Sequence, residues 1–347
     1  MFKEILLDEN IDLYGSLYSK AAFKTIYHHP DYLLAEEMAE TYHTYLYLYE
    51  QGGEFVVLPS IKRRINDIDV FVDEGEEYFD LMTPHEYSGV LASRYDLDLF
   101  RKFYIELKRY CISNNIIFQF IRFNPYSDEH KAAENFDIKL VDAQNWVDCS
   151  EDVLQHFQKR KARYVKSAIK SGMKCEEMEK NQNNIDIFYR YYEKAMNRLQ
   201  AKHFLYFNDK YFSNLYKCEF AKLFFVIDNQ TEQILTGIIV LCDEYHKKLY
   251  HHLSFRNDQA GNIHSMEYMI FATSQWAKKY GYTSMHLGGG SNSLHRFKDE
   301  CTDKRVDFYC GSIVYCPELY QLLSDKYCEK YVEERNSAYL PIYRSKE

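Results

Sequence analysis

Hydrophobic and polar positions change period several times along the chain. DYLLAEEMAETY (31–42) and LDLFRKFYIELKRYCISNN (97–115) space their apolar residues three and four apart, the signature of one buried helix face. Between them, YHTYLYLYEQGGEFVVLPSIKRRI (42–65) predicts two strands joined in a hairpin at Gln51-Gly52-Gly53. IIFQFIRFNPY (116–126) is a strand that ends at Pro125. VDCSEDVLQHFQKRKARYVKSAIKSG (147–172) predicts a helix capped by Ser150 and stopped by Gly172, and IDIFYRYYEKAMNRLQ (185–200) predicts another. FAKLFFVIDNQTEQILTGIIVLCDEYHKKLYHHLSF (220–255) reads as three strands turning at Asp228-Asn229 and Asp243-Glu244. SMEYMIFATSQWAKKYG (265–281) is a helix closed by Gly281, and YTSMHLGGG (282–290) is the strand after it. Both halves thus offer helices, an antiparallel meander, a helix and a strand. That order predicts a mixed α/β sheet with helices on its faces, and its recurrence points to duplication of one fold.

Composition narrows the class. With 347 residues and 46% hydrophobic positions the chain can build about two domains with substantial cores. Its 33 tyrosines add hydroxyls to apolar area, which suits polar clefts as well as cores. No run of about eighteen apolar residues predicts a membrane span. The start, MFKEILLDENIDLYG, places acids inside what would be an apolar signal core, so no export signal is read. Nine scattered cysteines without a C-x-x-C pair give neither a metal framework nor a disulfide framework. They read as reduced thiols of a cytoplasmic protein. A net charge of −9 disfavours DNA or any long polyanion, although a local basic patch is still suited to a phosphate.

KRKARYVKSAIKSGMKCE (159–176), YEKAMNRLQAKHFLYFNDKYF (192–212) and SMHLGGGSNSLHRFKDE (284–300), joined by TPHEYSGVLAS (83–93) and FIRFNPY (120–126), resemble the Fem-type nonribosomal peptidyltransferase branch of the GNAT acyltransferase superfamily. The resemblance implies two tandem GNAT-like domains of α/β type around a shared cleft. The domains expected are 1–146 on the acceptor side and 147–317 on the donor side, with 318–347 returning to the first. Family members transfer an acyl or aminoacyl group to an amine. Their donors are aminoacyl-tRNA in the peptidoglycan-bridge enzymes and acyl-CoA in relatives that modify amino sugars.

In a GNAT fold two neighbouring strands part, the thioester enters between them, and its pyrophosphate rests where the next helix begins. Here that place is SFRNDQAGNIHSMEY (254–268), which makes Arg256 and Gly261 candidate donor-phosphate residues. RNDQAG departs from the Q/R-x-x-G-x-G/A signature by carrying Gln259 in place of the first glycine, and a polar turn explains it equally well. Gly288 and Gly289 allow a ligand to approach the backbone, or else form an ordinary turn at a strand end. By resemblance, Phe297 walls the reaction centre and Lys298 stabilises charge on the donor or on the carbonyl oxygen. YHHLS (250–254) is the candidate parting strand, and strict alternation puts Tyr250, His252 and Ser254 on one face. His252 is the candidate base or proton relay, with a buried structural histidine as the competing reading. His264 and Glu267 are weaker candidates.

Arg198, Lys202 and Tyr206, at four-residue spacing, match the family segment that grips a nucleotide-linked acceptor, or form a solvated helical face. From the basic run, which spacing spreads around a helix, Arg163 is kept as a cleft residue. Tyr87 is the first-domain residue placed to close over the acceptor. The function expected is N-acyl transfer from acyl-CoA, a co-substrate and not a prosthetic group, to the amine of a nucleotide-linked amino sugar in surface-polysaccharide synthesis. One alternative is a Fem-like transfer from aminoacyl-tRNA to a peptidoglycan precursor. Another is a non-catalytic nucleotide-sugar binder, which ligand binding without CoA turnover would distinguish.

Overall fold

The computed structural model describes every residue except 40–41, 73–74, 202–204, 261–263 and 347, together with no side-chain description at 38, 39 and 260. The chain divides into two compact units, Met1–Val141 with Phe308–Glu347 and Asp142–Asp307. Both division points fall inside strands, which is why no linker composition marks them in the sequence.

In the first unit the chain runs through β1 (Phe2–Leu6), α1 (Ile11–Lys20), α2 (Pro30–Ala39), β2 (His43–Gln51), β3 (Glu54–Arg64), β4 (Phe79–Met82) and β5 (Leu91–Ala92). It continues through α3 (Leu97–Ser113), β6 (Ile116–Arg122) and the first part of β7 (Asp137–Asp148). β1, β2, β3 and β4 pair antiparallel in that order, β5 adds to β3, and β4 pairs parallel with β6. The hairpin turns where expected, with Gln51 opposite Glu54 and positive φ at Gly52 and Gly53, a geometry that glycine adopts without steric cost. α3 begins at Asp96, whose carboxylate accepts from the backbone N–H groups of Asp98 and Leu99. It buries Leu99, Phe100, Phe103, Tyr104, Leu107 and Cys111, one helical stripe, against Val56, Leu58, Leu81 and Ile116 of the sheet.

The second unit takes the end of β7, then α4 (Val153–His156), α5 (Lys159–Lys170), β8 (Lys174–Glu177), α6 (Gln182–Leu199) and α7 (Asp209–Lys217). It closes with β9 (Ala221–Ile227), β10 (Ile234–Asp243), β11 (Lys248–Arg256), α8 (Ser265–Lys279), β12 (Ser284–Gly288) and α9 (Asn292–Asp299). Its strand order is β7-β12-β11-β10-β9-β8, with β12 parallel to β11 and the remaining pairs antiparallel. The long helix expected from Ser150 is two pieces. β7 persists to Asp148, Ser150 hydrogen-bonds back to the Asp148 carboxylate, and Asp152 is the residue that caps α4 through the N–H of Leu154. Phe157, in extended backbone, then separates α4 from α5. Asp148 and Asp152 satisfy the backbone donors that set the late start, and at the break the N–H of Gln158 bonds to the Glu300 carbonyl at 2.9 Å and does not extend α4.

The chain finally returns to the first unit through β13 (Arg305–Val314), which pairs antiparallel with β6, and α10 (Pro317–Lys330). Leu323, Tyr327 and Cys328 of α10 pack with Ile65, Ile68, Phe71, Ile117 and Tyr343. Near that cluster Asp80, fully buried, accepts from Arg63 at 2.7 Å on one oxygen and from Arg344 at 2.6 Å on the other.

Candidate functional site

β11 and β12 pair in parallel at Lys248↔Ser284, Leu249↔Met285 and Tyr250↔His286, and no further pair joins them among the described residues. β11 continues to Arg256, while β12 shifts register against β7 after His286. The two strands therefore part at Tyr250 and His286, whose rings meet edge to face at 5.6 Å. This parting is the feature that the sequence reading sought in YHHLS.

The predicted face alternation along β11 fails. Between Ile239↔Leu253 and Val240↔His251 the ladder skips one residue of β11, so His252 is an extra residue in a β-bulge. His251 and Ser254, opposite in a regular strand, consequently lie side by side, with Nε2 and Oγ 2.8 Å apart. His252 is buried, and its Nε2 lies 2.6 Å from the hydroxyl of Tyr211 on α7. That hydrogen bond fixes the imidazole between β11 and α7.

The glycine turn has structural reasons of its own. Gly288 has φ +71°, a conformation costly for a side chain. A Cβ on Gly289 would run into the carboxylate of Asp142 and come within 3.1 Å of Gln144 Nε2. The turn is held from α9, a helix that the polar composition after the glycines did not predict. Lys298 is 5% exposed, and its ammonium donates to the carbonyl oxygens of Gly288 at 3.0 Å and Gly289 at 2.5 Å. His295 of the same helix lies 2.9 Å from Asp142.

Phe297 faces a group that sequence reasoning missed. The ammonium of Lys161 sits 4.5 Å from the Phe297 ring centroid and 5.8 Å from that of Tyr164. It also lies 2.7 Å from Glu267 on α8 and 3.3 Å from Glu300 after α9. Burial pulls the Lys161 pKa down, but the hydrogen bond and charge of Glu267, with Glu300 behind it, reverse this and leave it raised. His264 stacks flat on Tyr164 at 3.5 Å and approaches Glu267 at 3.8 Å. A signal for Lys161 was available: Lys161, Val165 and Ala168 are the buried residues of α5, one stripe at spacings of four and three. A lysine in that stripe must find buried acids. Arg163, the run's expected site residue, is exposed on α5.

The two arginines assigned to different ligands come together. Arg256 donates to one oxygen of Asp258 at 2.8 Å through Nε, and Arg198 pairs with the other oxygen. All three side chains are about a third to a half exposed, so a phosphate can compete for either guanidinium. Tyr206 is also exposed, and its hydroxyl donates to the Met196 carbonyl of α6 at 3.1 Å. Lys202 and Gly261 lie outside the described residues.

Tyr87 belongs to the first unit and packs edge to face on Tyr27 at 5.6 Å and Phe308 at 5.1 Å. Two buried carboxyls hold its loop. Glu36 accepts from the N–H of His85, and Glu129 accepts from the N–H of Val90. A groove of about 590 Å³ elsewhere in that unit is lined by Tyr320, Ser324, Asp325, Cys328 and Arg335, and by none of the predicted site residues.

No family model and no curated protein matches the sequence. Solved structures do. The chain is similar to FemX at a TM-score of 0.66 and 11% identity, covering 93% of this chain and 99% of that one. It is similar to L-PGS from Bacillus licheniformis at 0.57 and 12%, covering 86% and 91%. It is similar to a tandem GNAT protein from the clavulanic acid biosynthesis pathway at 0.50 and 8%, covering 91% and 99%. At such identities the likeness speaks for architecture. The protein has a mixed α/β fold of the tandem GNAT-like, Fem type.

Proposed function

We propose that the protein is an acyl-group transferase that acts on an amine, with the donor entering where β11 and β12 part. The parting at Tyr250 and His286 is the observation that carries this reading. The amine, once deprotonated, attacks the donor carbonyl, and the tetrahedral intermediate collapses by expelling the donor's thiol or hydroxyl. His252, oriented by Tyr211, is the proposed proton relay. Lys298 is proposed to act on the carbonyl oxygen through the turn that it holds, with Phe297 as wall. Direct transfer agrees with the thiols: burial pushes Cys149 and Cys242 up to about 12, which keeps them protonated at neutral pH.

The donor in this reading is acyl-CoA, with phosphates received by Arg256 and Arg198 in exchange for Asp258. The acceptor in this reading is the amine of a nucleotide-linked amino sugar, with Arg163, Lys202 and Tyr206 proposed to bind it. A second reading, aminoacyl transfer from tRNA, is supported by the likeness to FemX over nearly the whole chain. Mass spectrometry of ligands retained by the purified protein, followed by parallel assays of thiol release from several acyl-CoAs and of label transfer from charged tRNA, separates the two. Turnover with neither donor, despite retention of a nucleotide sugar, would favour a binding protein and overturn the transferase reading.

A further inference from the structure

We propose a divalent transition-metal site in the first unit, formed by Asp8, Glu37 and His43. The three residues come from different elements: Asp8 follows β1, Glu37 lies in the last turn of α2, and His43 opens β2. One donor atom from each lies within 4.8 Å of the other two. His43 Nδ1 and Glu37 Oε1 are 3.0 Å apart. Ligand atoms bound at about 2.1 Å to one cation stand about 3–3.5 Å apart, so this edge already has ligand spacing. The Asp8 carboxylate is exposed, and one of its oxygens accepts from the backbone N–H of Glu9 at 2.8 Å.

A second observation points to a ligand. The Glu37 side chain is 10% exposed, and its second oxygen, Oε2, is buried without a hydrogen-bond partner. A buried carboxylate oxygen without a donor is costly, and a cation beside it removes that cost. The surroundings add to the negative field. Burial raises the Glu37 carboxyl and the charge of Asp8 adds to this, against lowering by the hydrogen bond to His43 and by the Thr44 N–H, while Glu4, Asp8, Glu37 and Glu9 all act on neighbouring Tyr45. One imidazole with two carboxylates suits zinc and its first-row neighbours; magnesium prefers oxygen ligands and retained waters. The bound ion would tie the start of the chain to the junction of α2 and β2. This site is independent of the transferase reading.

The test is calorimetric titration of chelator-treated full-length protein with zinc chloride, with thermal melting beside it. The expected result is saturable binding of one equivalent tied to these residues, and a melting temperature that rises with zinc but not with equal magnesium. His43→Ala and Asp8→Asn should each weaken that binding roughly tenfold or more, as loss of a ligand does. Both side chains are largely exposed, so both variants should fold. His246→Ala, in the other unit, should leave binding intact. Absence of saturable zinc binding, or binding that survives both ligand substitutions unchanged, overturns the site.

Discussion

Glu129→Gln should change the pH dependence of folding in a defined window. Glu129 is fully buried; its Oε1 accepts from the Tyr104 hydroxyl at 2.6 Å and the Val90 N–H at 3.0 Å. Its Oε2 is buried without a partner, against Gly89, where an added Cβ would collide with the carboxyl. Burial raises the carboxyl to about 8 from an ordinary 4.5, outweighing both hydrogen bonds. In the unfolded chain the group ionises from about 4.5 upward, whereas the folded protein keeps its proton until about 8. The unfolded state therefore binds fewer protons across this window, and stability falls as pH rises through it, then levels off. The slope is about 1.4 kcal/mol per pH unit, so by pH 7 the group costs roughly 3 kcal/mol relative to pH 4.5. Glutamine keeps the accepting oxygen and cannot ionise. Denaturant unfolding of both proteins from pH 5 to 9 should show the variant gaining on the wild type up to about pH 8, with no further gain above. A difference that is flat in pH would refute the reasoning. Because Glu129 holds the loop of Tyr87, the wild-type loop should also loosen above that pH.

Arg344→Met removes one of the two guanidiniums on buried Asp80 and should destabilise by roughly 3–5 kcal/mol; an unchanged denaturation midpoint would contradict the buried ion cluster. Lys298→Met withdraws a charged donor from two carbonyls and should cost about 1.5–3 kcal/mol per hydrogen bond at most, read by denaturation. Under the proposed chemistry it also lowers kcat and kcat/KM together by roughly 10²–10³-fold, whereas a purely structural lysine would leave the turnover of folded protein near normal.

Much of the architecture was legible because it rests on local periods. The hairpin at Gly52-Gly53, the stripe of α3 and the meander of β9, β10 and β11 each declare themselves within one window. What failed depended on side chains that rearrange the backbone. Asp148 and Asp152 delay the expected helix, the Gln158 N–H leaves it for the Glu300 carbonyl, and a bulge at His252 rotates the rest of β11, none of which a period can show. β7, Asp137–Asp148, went unread because polar residues interrupt its pattern. At the site, residue types were legible but their partners were not. Arg198 and Arg256 are 58 positions apart by number, and nothing local says that Asp258 holds both. Lys161 was hidden in a run of basic residues whose other members face solvent, and only the position of Val165 and Ala168 identifies its inward direction.

Amide hydrogen exchange along β11 and β12, with and without donor, tests the central claim most directly. In the free protein, the paired residues Lys248 to Tyr250 should exchange slowly, as ladder amides do. Addition of acetyl-CoA or of charged tRNA should slow exchange at those amides of His251 to Arg256 that do not bond β10, and at Leu287 and Gly288, where β11 and β12 have parted, while Lys248 to Tyr250 change little. Saturable binding of either donor that protects other segments and leaves His251 to Arg256 untouched would contradict the placement of the donor between these strands.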